Sequence, residues 1–206
     1  MRVLVQFFHP ALEKSRVHRR LADAARGVDG VTFRDQYELY PDFDIDVDAE
    51  QAALLAHDLI VFEHPLYWYS GPALLKQWLD LVLEHGWAYG REGTALRGKY
   101  ALHALSSGGG KDAYSPTGLN RRPVSEYLMP FQQTLQLCGV RWLPPFCVSG
   151  THRLNDADIE RAAGDYARLL GALRDDALDP NALGDFEDAN EAARALPEHR
   201  RAQGGA

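Results

Sequence analysis

The chain has few of the residues that build disulfide-rich, zinc-binding or membrane-spanning proteins. Its 206 residues include two cysteines, Cys138 and Cys147, with no paired short spacing. Neither a disulfide framework nor a zinc site is indicated, and a reducing, cytoplasmic compartment is expected. No apolar run is long enough to span a bilayer, and the N-terminus lacks the pattern of a secretory signal. Any association with a membrane is therefore expected to go through a partner.

The sequence also lacks a basic excess and the common phosphate-binding glycine motifs. A net charge of −7 argues against nucleic acid as the main partner, because neutralising phosphates needs a basic surface. The turn after the first predicted strand, residues 9–15, contains no glycine and no Walker lysine. This composition disfavours a dinucleotide-binding Rossmann domain and a nucleotide triphosphatase.

What remains is typical of one soluble α/β domain. The chain is 46% hydrophobic and 25% charged, and short apolar runs alternate with helical patterns. This alternation predicts a parallel sheet with helices on both faces, and the length favours a flavodoxin-like fold of roughly five strands in the order 2-1-3-4-5. We assign residues 1–174 to this domain. Residues 175–206, rich in Asp, Ala and Gly, are expected to form a mobile or loosely docked tail.

Three predicted strands end in turns with the chemistry of a ligand site. Ser15 stands before a helical pattern, where a helix N-terminus offers unpaired amides and a positive dipole end to an anion. His9 and Arg16 flank the same turn. A phosphate cradle is one interpretation, and an ordinary helix cap is the other.

The second turn is strongly aromatic. Residues 59–64 form a short apolar run that predicts a buried strand, Pro65 stops it, and Tyr67, Trp68 and Tyr69 follow. Ligands of open α/β sheets bind at the carboxyl ends of the strands, so these rings favour a flat, conjugated ligand. Packing of the rings under a neighbouring loop is the alternative.

The third turn is glycine-rich. Ser106 and Ser107 precede Gly108, Gly109 and Gly110 after the strand predicted at residues 99–105. Glycines at this position let the backbone approach a ligand closely and direct its amides at ligand oxygens or nitrogens. A mobile linker is the alternative.

The helix predicted at residues 72–83 is apolar around most of its circumference. Such a helix is either deeply buried or shared with a second subunit. We therefore expect a homodimer.

Several motifs, in the right order and at near-matching spacing, resemble the flavodoxin-like NAD(P)H:quinone oxidoreductases, and within them the ancillary subunits of glutathione-regulated potassium-efflux systems. The resemblance covers residues 2–172, and its motifs are His9-Pro10 with Ser15, Tyr40-Pro41-Asp42-Phe43, the segment 64–70, the segment 85–90, the segment 106–110 and Cys138-Gly139 with the segment 142–146.

The resemblance implies an FMN cofactor, a homodimer, NAD(P)H and a quinone as substrates, and a potassium-efflux transporter as a further partner at the inner membrane. No metal site is expected, because the histidines lack carboxylate partners at ligand spacing. The residues that it places at the cofactor are His9, Ser15, Arg16, Val17, His18, Leu66, Tyr67, Trp68, Tyr69, Ser106, Ser107, Gly108 and Gly109.

For catalysis, the resemblance points to Tyr114 and Asn120, which follow the glycine loop. The wider family has a Tyr and a His there, and Asn120 stands where the His would be. Likewise, His18 stands where close relatives have Asn. A non-catalytic regulatory subunit that acts by docking on the transporter is the alternative function.

Overall fold

A computed structural model describes residues 1–197 of the chain. Its centre is one parallel sheet in the order β2-β1-β3-β4-β5, with β6 also paired to β4. The strands are β1 (Val3–Phe7), β2 (Val31–Asp35), β3 (Leu59–Pro65), β4 (Tyr100–Ser107), β5 (Arg141–Trp142) and β6 (Phe146–Ser149). The predicted fold class and strand order are confirmed.

Helices cover both faces of the sheet. They are α1 (Arg16–Arg26), α2 (Gln36–Leu39), α3 (Val47–Ala56), α4 (Ala73–Val82), α5 (Val124–Tyr127), α6 (Met129–Leu137), α7 (Asp156–Arg174) and α8 (Ala189–Ala195). Successive side chains of a strand point to opposite faces, so Leu4 packs with α3, α4 and α6, whereas Val3 and Val5 pack with α1 and α7. The sheet is thus enclosed between two apolar cores.

The last strand and the helix before it are each broken once. β5 and β6 both pair with β4, one after the other along the same edge of β4, and the chain between them contains Pro144 and Pro145. Proline has no backbone N–H for a ladder, so the break falls on these residues. Before β5, the helical segment that follows Pro123 is divided into α5 and α6 at Leu128.

The expectation of a loosely docked tail is wrong for residues 175–197. A 3₁₀ segment (Pro180–Asp185) and α8 follow α7, and Leu183, Ala189 and Ala193 are fully buried. The amide of Ala189 donates to Pro145 O at 3.0 Å, and the amide of Cys147 donates to Asn190 Oδ1 at 2.7 Å. The segment therefore covers the outer edge of β6. Residues 198–206 of the predicted tail lie outside the described part of the chain.

The parallel strands bring their carboxyl ends to one edge of the sheet. The turns after β1, β3, β4 and β6 all open there, which places residues 9–15, 66–70, 108–110 and 150–154 side by side. Within residues 1–197, no helix is long and apolar enough to cross a membrane, and no group of three His, Cys, Asp or Glu side chains is arranged to hold a metal ion.

Candidate functional site

A cavity of about 390 Å³ lies at this edge. Its volume is within the range of small-molecule sites. The turns after β1, β3, β4 and β6 supply its wall, which consists of His9, Lys14, Ser15, Arg16, Val17, Pro65, Leu66, Tyr67, Ser106, Gly108, Thr151 and His152. The three turns selected from the sequence thus meet at one cavity.

Ser15 organises the end of the cavity formed by α1. Its Oγ accepts a hydrogen bond from the amide of His18 at 3.0 Å, so Ser15 is the N-cap that the sequence predicts. The amides of Arg16 and Val17 precede the first intrahelical hydrogen bonds and have no acceptor within the helix. The two interpretations of Ser15 are compatible, because a capped helix still offers these first amides to an anion.

The charged groups at this end are not those that the sequence suggests. The Arg16 guanidinium is turned away, bonded to Leu154 O at 3.1 Å and to Asp156 Oδ1 at 2.6 Å. His9 is buried and accepts a hydrogen bond from the amide of Ala11 at its Nδ1. Burial lowers the pKa of His9 to about 4, so this ring is neutral at pH 7. Lys14, which sequence reasoning missed, also lines the cavity and brings a second basic side chain to this end.

The aromatic turn forms another part of the cavity wall and is held in an unusual conformation. Tyr67 and Ser70 exchange backbone hydrogen bonds of 2.9 and 3.0 Å, and Trp68 and Tyr69 between them have φ values of 49° and 62°. Two positive φ angles define a turn that normally takes Asn-Gly, so bulky rings there are a strained choice. Strain of this kind is concentrated at functional sites.

The Trp68 ring is not packed under a neighbouring loop. Trp68 is 93% exposed, and Tyr67 and Tyr69 are about half exposed. Leu66 and Tyr67 line the cavity, whereas Trp68 and Tyr69 stand outside its wall. Core packing is therefore wrong for Trp68, and its exposed ring is available to a ligand or a second subunit.

The glycine turn contributes two of its four predicted residues to the cavity. Ser106 and Gly108 line it, and a Cβ on Gly108 would lie 3.0 Å from Nε2 of His152, so a larger residue there would displace that ring. Ser107 instead donates to Gly109 O at 2.9 Å, and Gly109 packs under the ring of Tyr114. Ser107 and Gly109 shape the turn without lining the cavity.

Tyr114 and Asn120 are joined to the aromatic turn rather than to the cavity wall. The Tyr69 hydroxyl donates to Asn120 Oδ1 at 3.3 Å, and the Tyr69 ring stacks on Tyr127 with centroids 5.0 Å apart. Tyr114 meets the other face of this cluster, with its ring 5.9 Å from that of Tyr127. Burial raises the pKa of Tyr114, which keeps its phenol protonated. Tyr114 also lines a second cavity of about 210 Å³ beside β6 and the segment that precedes α8.

His18 does not reach the cavity, which corrects its assignment as a phosphate contact. Its side chain is fully buried, with Nδ1 3.2 Å from Glu63 Oε1 and Nε2 2.9 Å from Ser106 Oγ. Its amide is taken by Ser15. A histidine at the third position of this helix points inward, towards the sheet, and not to the helix mouth.

Lys14, Pro65, Thr151 and His152 line the cavity without having been selected. Thr151 and His152 follow β6, the last parallel strand, so the rule that predicts the other three turns also applies to them.

An open parallel sheet with a cavity at its carboxyl edge, walled by a helix N-terminus, an aromatic turn and a glycine turn, defines a nucleotide-type ligand-binding α/β protein. The family model described as "Flavodoxin-like fold" matches residues 1–170. The chain belongs to this family.

Relatives with names and solved structures cover most of the chain. The ancillary protein KefF of the glutathione-regulated potassium-efflux system of Enterobacter sp. (strain 638) is 44% identical over 169 residues, which are 82% of this chain and 94% of that protein. General stress protein 14 of Treponema denticola, solved in complex with FMN, is 40% identical, with a TM-score of 0.80 over 84% of this chain and 99% of that one.

Two further structures show that the functional names differ. An NADPH-quinone reductase from P. pentosaceus is 31% identical, with a TM-score of 0.74 over 82% of this chain and 96% of that one. A chain described as a tryptophan halogenase from Streptomycin violaceusniger is 47% identical, with a TM-score of 0.78 over 80% of this chain and 95% of that one. The function must therefore be argued from the site.

Proposed function

We propose that the chain is an FMN-dependent NAD(P)H:quinone oxidoreductase. The observation that carries the proposal is the convergence of the Ser15, Leu66–Tyr67 and Ser106–Gly108 turns on one cavity, whose two ends differ in the way that the two ends of FMN differ. The FMN complex of the 40% identical relative and the NADPH-quinone reductase among the solved structures support it.

The α1 end fits a phosphate. It offers the first-turn amides of Arg16 and Val17, the Ser15 hydroxyl and the Lys14 side chain, and none of the carboxylates within residues 1–197 lines the cavity. Amides at a helix N-terminus and a nearby cation bind a dianion without any glycine-rich loop. These residues would hold the phosphate of FMN.

The rest of the lining fits a flat ring system. Pro65, Leu66 and Tyr67 provide apolar and aromatic lining, and Ser106 and the glycine backbone at residue 108 provide polar lining beside them. FMN bound there would supply the redox chemistry, taking a hydride from NAD(P)H and passing it to a quinone. The protein would contribute orientation and hydrogen-bond donors.

Tyr114 and Asn120 would act on the substrate side. Their cluster with Tyr69 and Tyr127 borders the aromatic turn, and the phenol of Tyr114 stays protonated at neutral pH. We infer that Tyr114 donates a hydrogen bond to a quinone oxygen and that Asn120 fixes the position of Tyr69.

The likeness to KefF favours a second candidate function, in which the protein is an ancillary subunit of a potassium-efflux transporter. Docking on the transporter from the cytoplasmic face of the inner membrane, as a homodimer, would then be its role with or without turnover. The exposed Trp68 and the exposed Leu81 of α4 are apolar groups that a second subunit would cover.

The visible spectrum of the purified protein tests the proposal. We expect a flavin spectrum, as isolated or after addition of FMN, and bleaching on anaerobic addition of NADH or NADPH, followed by recovery of the colour with a quinone. Protein that takes up FMN but is not bleached would leave only the ancillary function. Protein that stays colourless with excess FMN would contradict the flavin site itself.

A further inference from the structure

The second cavity, of about 210 Å³, has no role in the function proposed above. Its wall comes from residues 111–125 of the loop and the start of α5, from residues 145–149 at β6, and from residues 187–194 of the C-terminal segment. Within residues 1–197, no residue belongs to the walls of both cavities. The second cavity is therefore a separate place where a ligand group fits.

The C-terminal wall of this cavity lies outside the family match. The family model ends at residue 170, and the 169 residues aligned with KefF of Enterobacter sp. already cover 94% of that protein. The segment is nevertheless docked tightly, since Leu183, Ala189 and Ala193 are fully buried and Asn190 accepts a hydrogen bond from the amide of Cys147. This wall is thus a built part of the molecule and not a chance contact.

An ion pair joins the two sides of the second cavity. Lys111 Nζ lies 3.3 Å from Asp188 Oδ2 and 3.5 Å from Glu187 Oε2. Arg194 is the other charged residue of the wall, so the wall holds two cations and two anions and its formal charges cancel. A charged group would lose its hydration there without meeting a net opposite charge. The wall therefore favours an uncharged group.

The size and the apolar part of the wall indicate an aromatic ring. Pro123, Val124, Pro145 and the ring of Tyr114 supply apolar surface. The cavity is smaller than the roughly 300 Å³ at which sites for whole small molecules begin. An apolar cavity of about 150 Å³ is nevertheless enough for one benzene ring. The second cavity thus fits one ring of a larger ligand.

Tyr114 connects the second cavity to the glycine turn. A Cβ on Gly109 would lie 2.9 Å from Cε2 of Tyr114, so the ring lies directly against that turn. The same residue lines the second cavity. A molecule bonded to the phenol of Tyr114 would therefore have its remaining atoms beside the opening of this cavity.

We propose that the second cavity is a specificity pocket for the electron acceptor and takes the uncharged second ring of a fused-ring quinone. This inference rests on the proposed function, in which Tyr114 donates a hydrogen bond to a quinone oxygen. A quinone with one ring leaves the pocket empty, whereas a naphthoquinone removes its second ring from water there. The pocket therefore raises kcat/KM for the larger acceptor.

Filling the pocket tests the inference. The measured quantity is the ratio of kcat/KM for 1,4-naphthoquinone to kcat/KM for 1,4-benzoquinone, with FMN-loaded protein and saturating NADPH or NADH. Ser149→Leu fills the cavity from β6 and is expected to lower this ratio about tenfold. Val124→Phe fills it from α5 and is expected to have a similar effect.

Three control variants separate filling from other effects. Ser149→Ala keeps the cavity open, so its ratio should stay within twofold of the wild type. Arg194→Ala removes a side chain of the C-terminal wall and should lower the ratio about threefold. Gln136→Leu adds a leucine at an exposed position of α6, outside the wall, and should change neither value of kcat/KM.

A binding measurement tests the pocket without turnover. 2-Naphthol has two fused rings and a hydroxyl for Tyr114, and it is not a hydride acceptor. In equilibrium dialysis with FMN-loaded protein, we expect 2-naphthol to bind more tightly than phenol. Ser149→Leu should raise the Kd of 2-naphthol about tenfold while the protein keeps its FMN.

An unchanged ratio in Ser149→Leu and in Val124→Phe, with FMN still bound, overturns the inference. An unchanged ratio in Arg194→Ala overturns the role of the C-terminal segment. If both filling variants lose FMN, the wild type decides, because equal binding of 2-naphthol and phenol also overturns the inference. If the wild type reduces both quinones and only the ratios stay constant, the proposed function stands. If the wild type reduces neither quinone, the proposed function fails, and this inference fails with it.

Discussion

The two ends of the cavity are built in opposite ways. At the α1 end, His9, His18 and Glu63 are buried, and the helix N-terminus is closed by Ser15. At the aromatic end, Trp68 is 93% exposed on a turn with two left-handed residues. One end is part of the folded core, and the other projects from it.

This difference indicates that one end of the cavity has its final geometry before a ligand binds, whereas the other end is completed by the ligand. The α1 end is fixed by hydrogen bonds that the fold itself requires, so its geometry does not depend on a ligand. An exposed indole loses apolar contact with water only when a ligand or a second subunit covers it. Changes at the first end should therefore affect stability and binding together, and changes at the second end should affect binding alone.

The largest effect is expected from acid, which should destabilise the buried end. Burial lowers the pKa of His18 to about 3 and of His9 and His64 to about 4. A histidine with a depressed folded pKa contributes stability that is complete above about pH 6.5 and is lost as the pH falls towards the folded pKa. We expect the free energy of unfolding, measured with urea, to fall by on the order of 3 kcal/mol between pH 7 and pH 4.

Two carboxyl groups with shifted pKa values also affect how stability depends on pH. The raised pKa of Glu63 has the opposite sign, since its contribution is complete below about pH 4.5 and is lost as the pH rises, but one carboxyl opposes several histidines. Asp58, held by Arg2 at a pKa of about 2, acts only below about pH 4. His64→Asn should reduce the acid loss. A stability that stays constant from pH 7 to pH 4 would contradict the prediction.

The cap of α1 offers an intermediate test. Ser15→Ala removes the acceptor of the His18 amide and is expected to cost about 1 kcal/mol in urea unfolding of the FMN-free protein. Asp46→Ala removes an equivalent cap of α3, whose Oδ1 accepts from Ala49 N at 3.0 Å, and should cost a similar amount. Only Ser15→Ala should also weaken FMN, by roughly tenfold in a fluorescence titration. Equal FMN affinity in the two variants would mean that Ser15 is a helix cap and nothing more.

The sequence predicts the fold and three of the four turns because each depends on local patterns. Apolar runs, Pro65, Ser15 and the three glycines at residues 108–110 are signals within one segment, and the parallel sheet brings them together by topology. The orientation of a side chain depends instead on neighbours distant in sequence. The His18 ring is held by Glu63 and Ser106. The Arg16 guanidinium is held by Asp156. Periodicity places such residues on a helix but does not show what their side chains meet.

The C-terminal segment shows that composition, like periodicity, does not reveal what a side chain contacts. Its Asp, Ala and Gly content is typical of a mobile tail, yet the small side chains of Ala189 and Ala193 are buried completely. Alanine fits where α8 lies close to a neighbouring surface, and Asn190 satisfies an edge amide of β6. Polar composition therefore misled because the segment packs through small residues and one hydrogen bond.

The exposed ring gives the smallest effect and the cleanest separation of binding from folding. Trp68→Ala removes a side chain that is 93% exposed, so the urea midpoint of the FMN-free protein should not change. Stacking on an aromatic ring contributes about 0.5–1.5 kcal/mol, so FMN affinity in the same titration should fall roughly two- to tenfold. Trp68→Phe keeps a ring and should recover most of that loss, and Leu119→Ala, equally exposed on another loop, should change neither quantity. A lower urea midpoint with unchanged FMN affinity would assign Trp68 to folding, and unchanged values of both would leave a second subunit as the partner that its ring contacts.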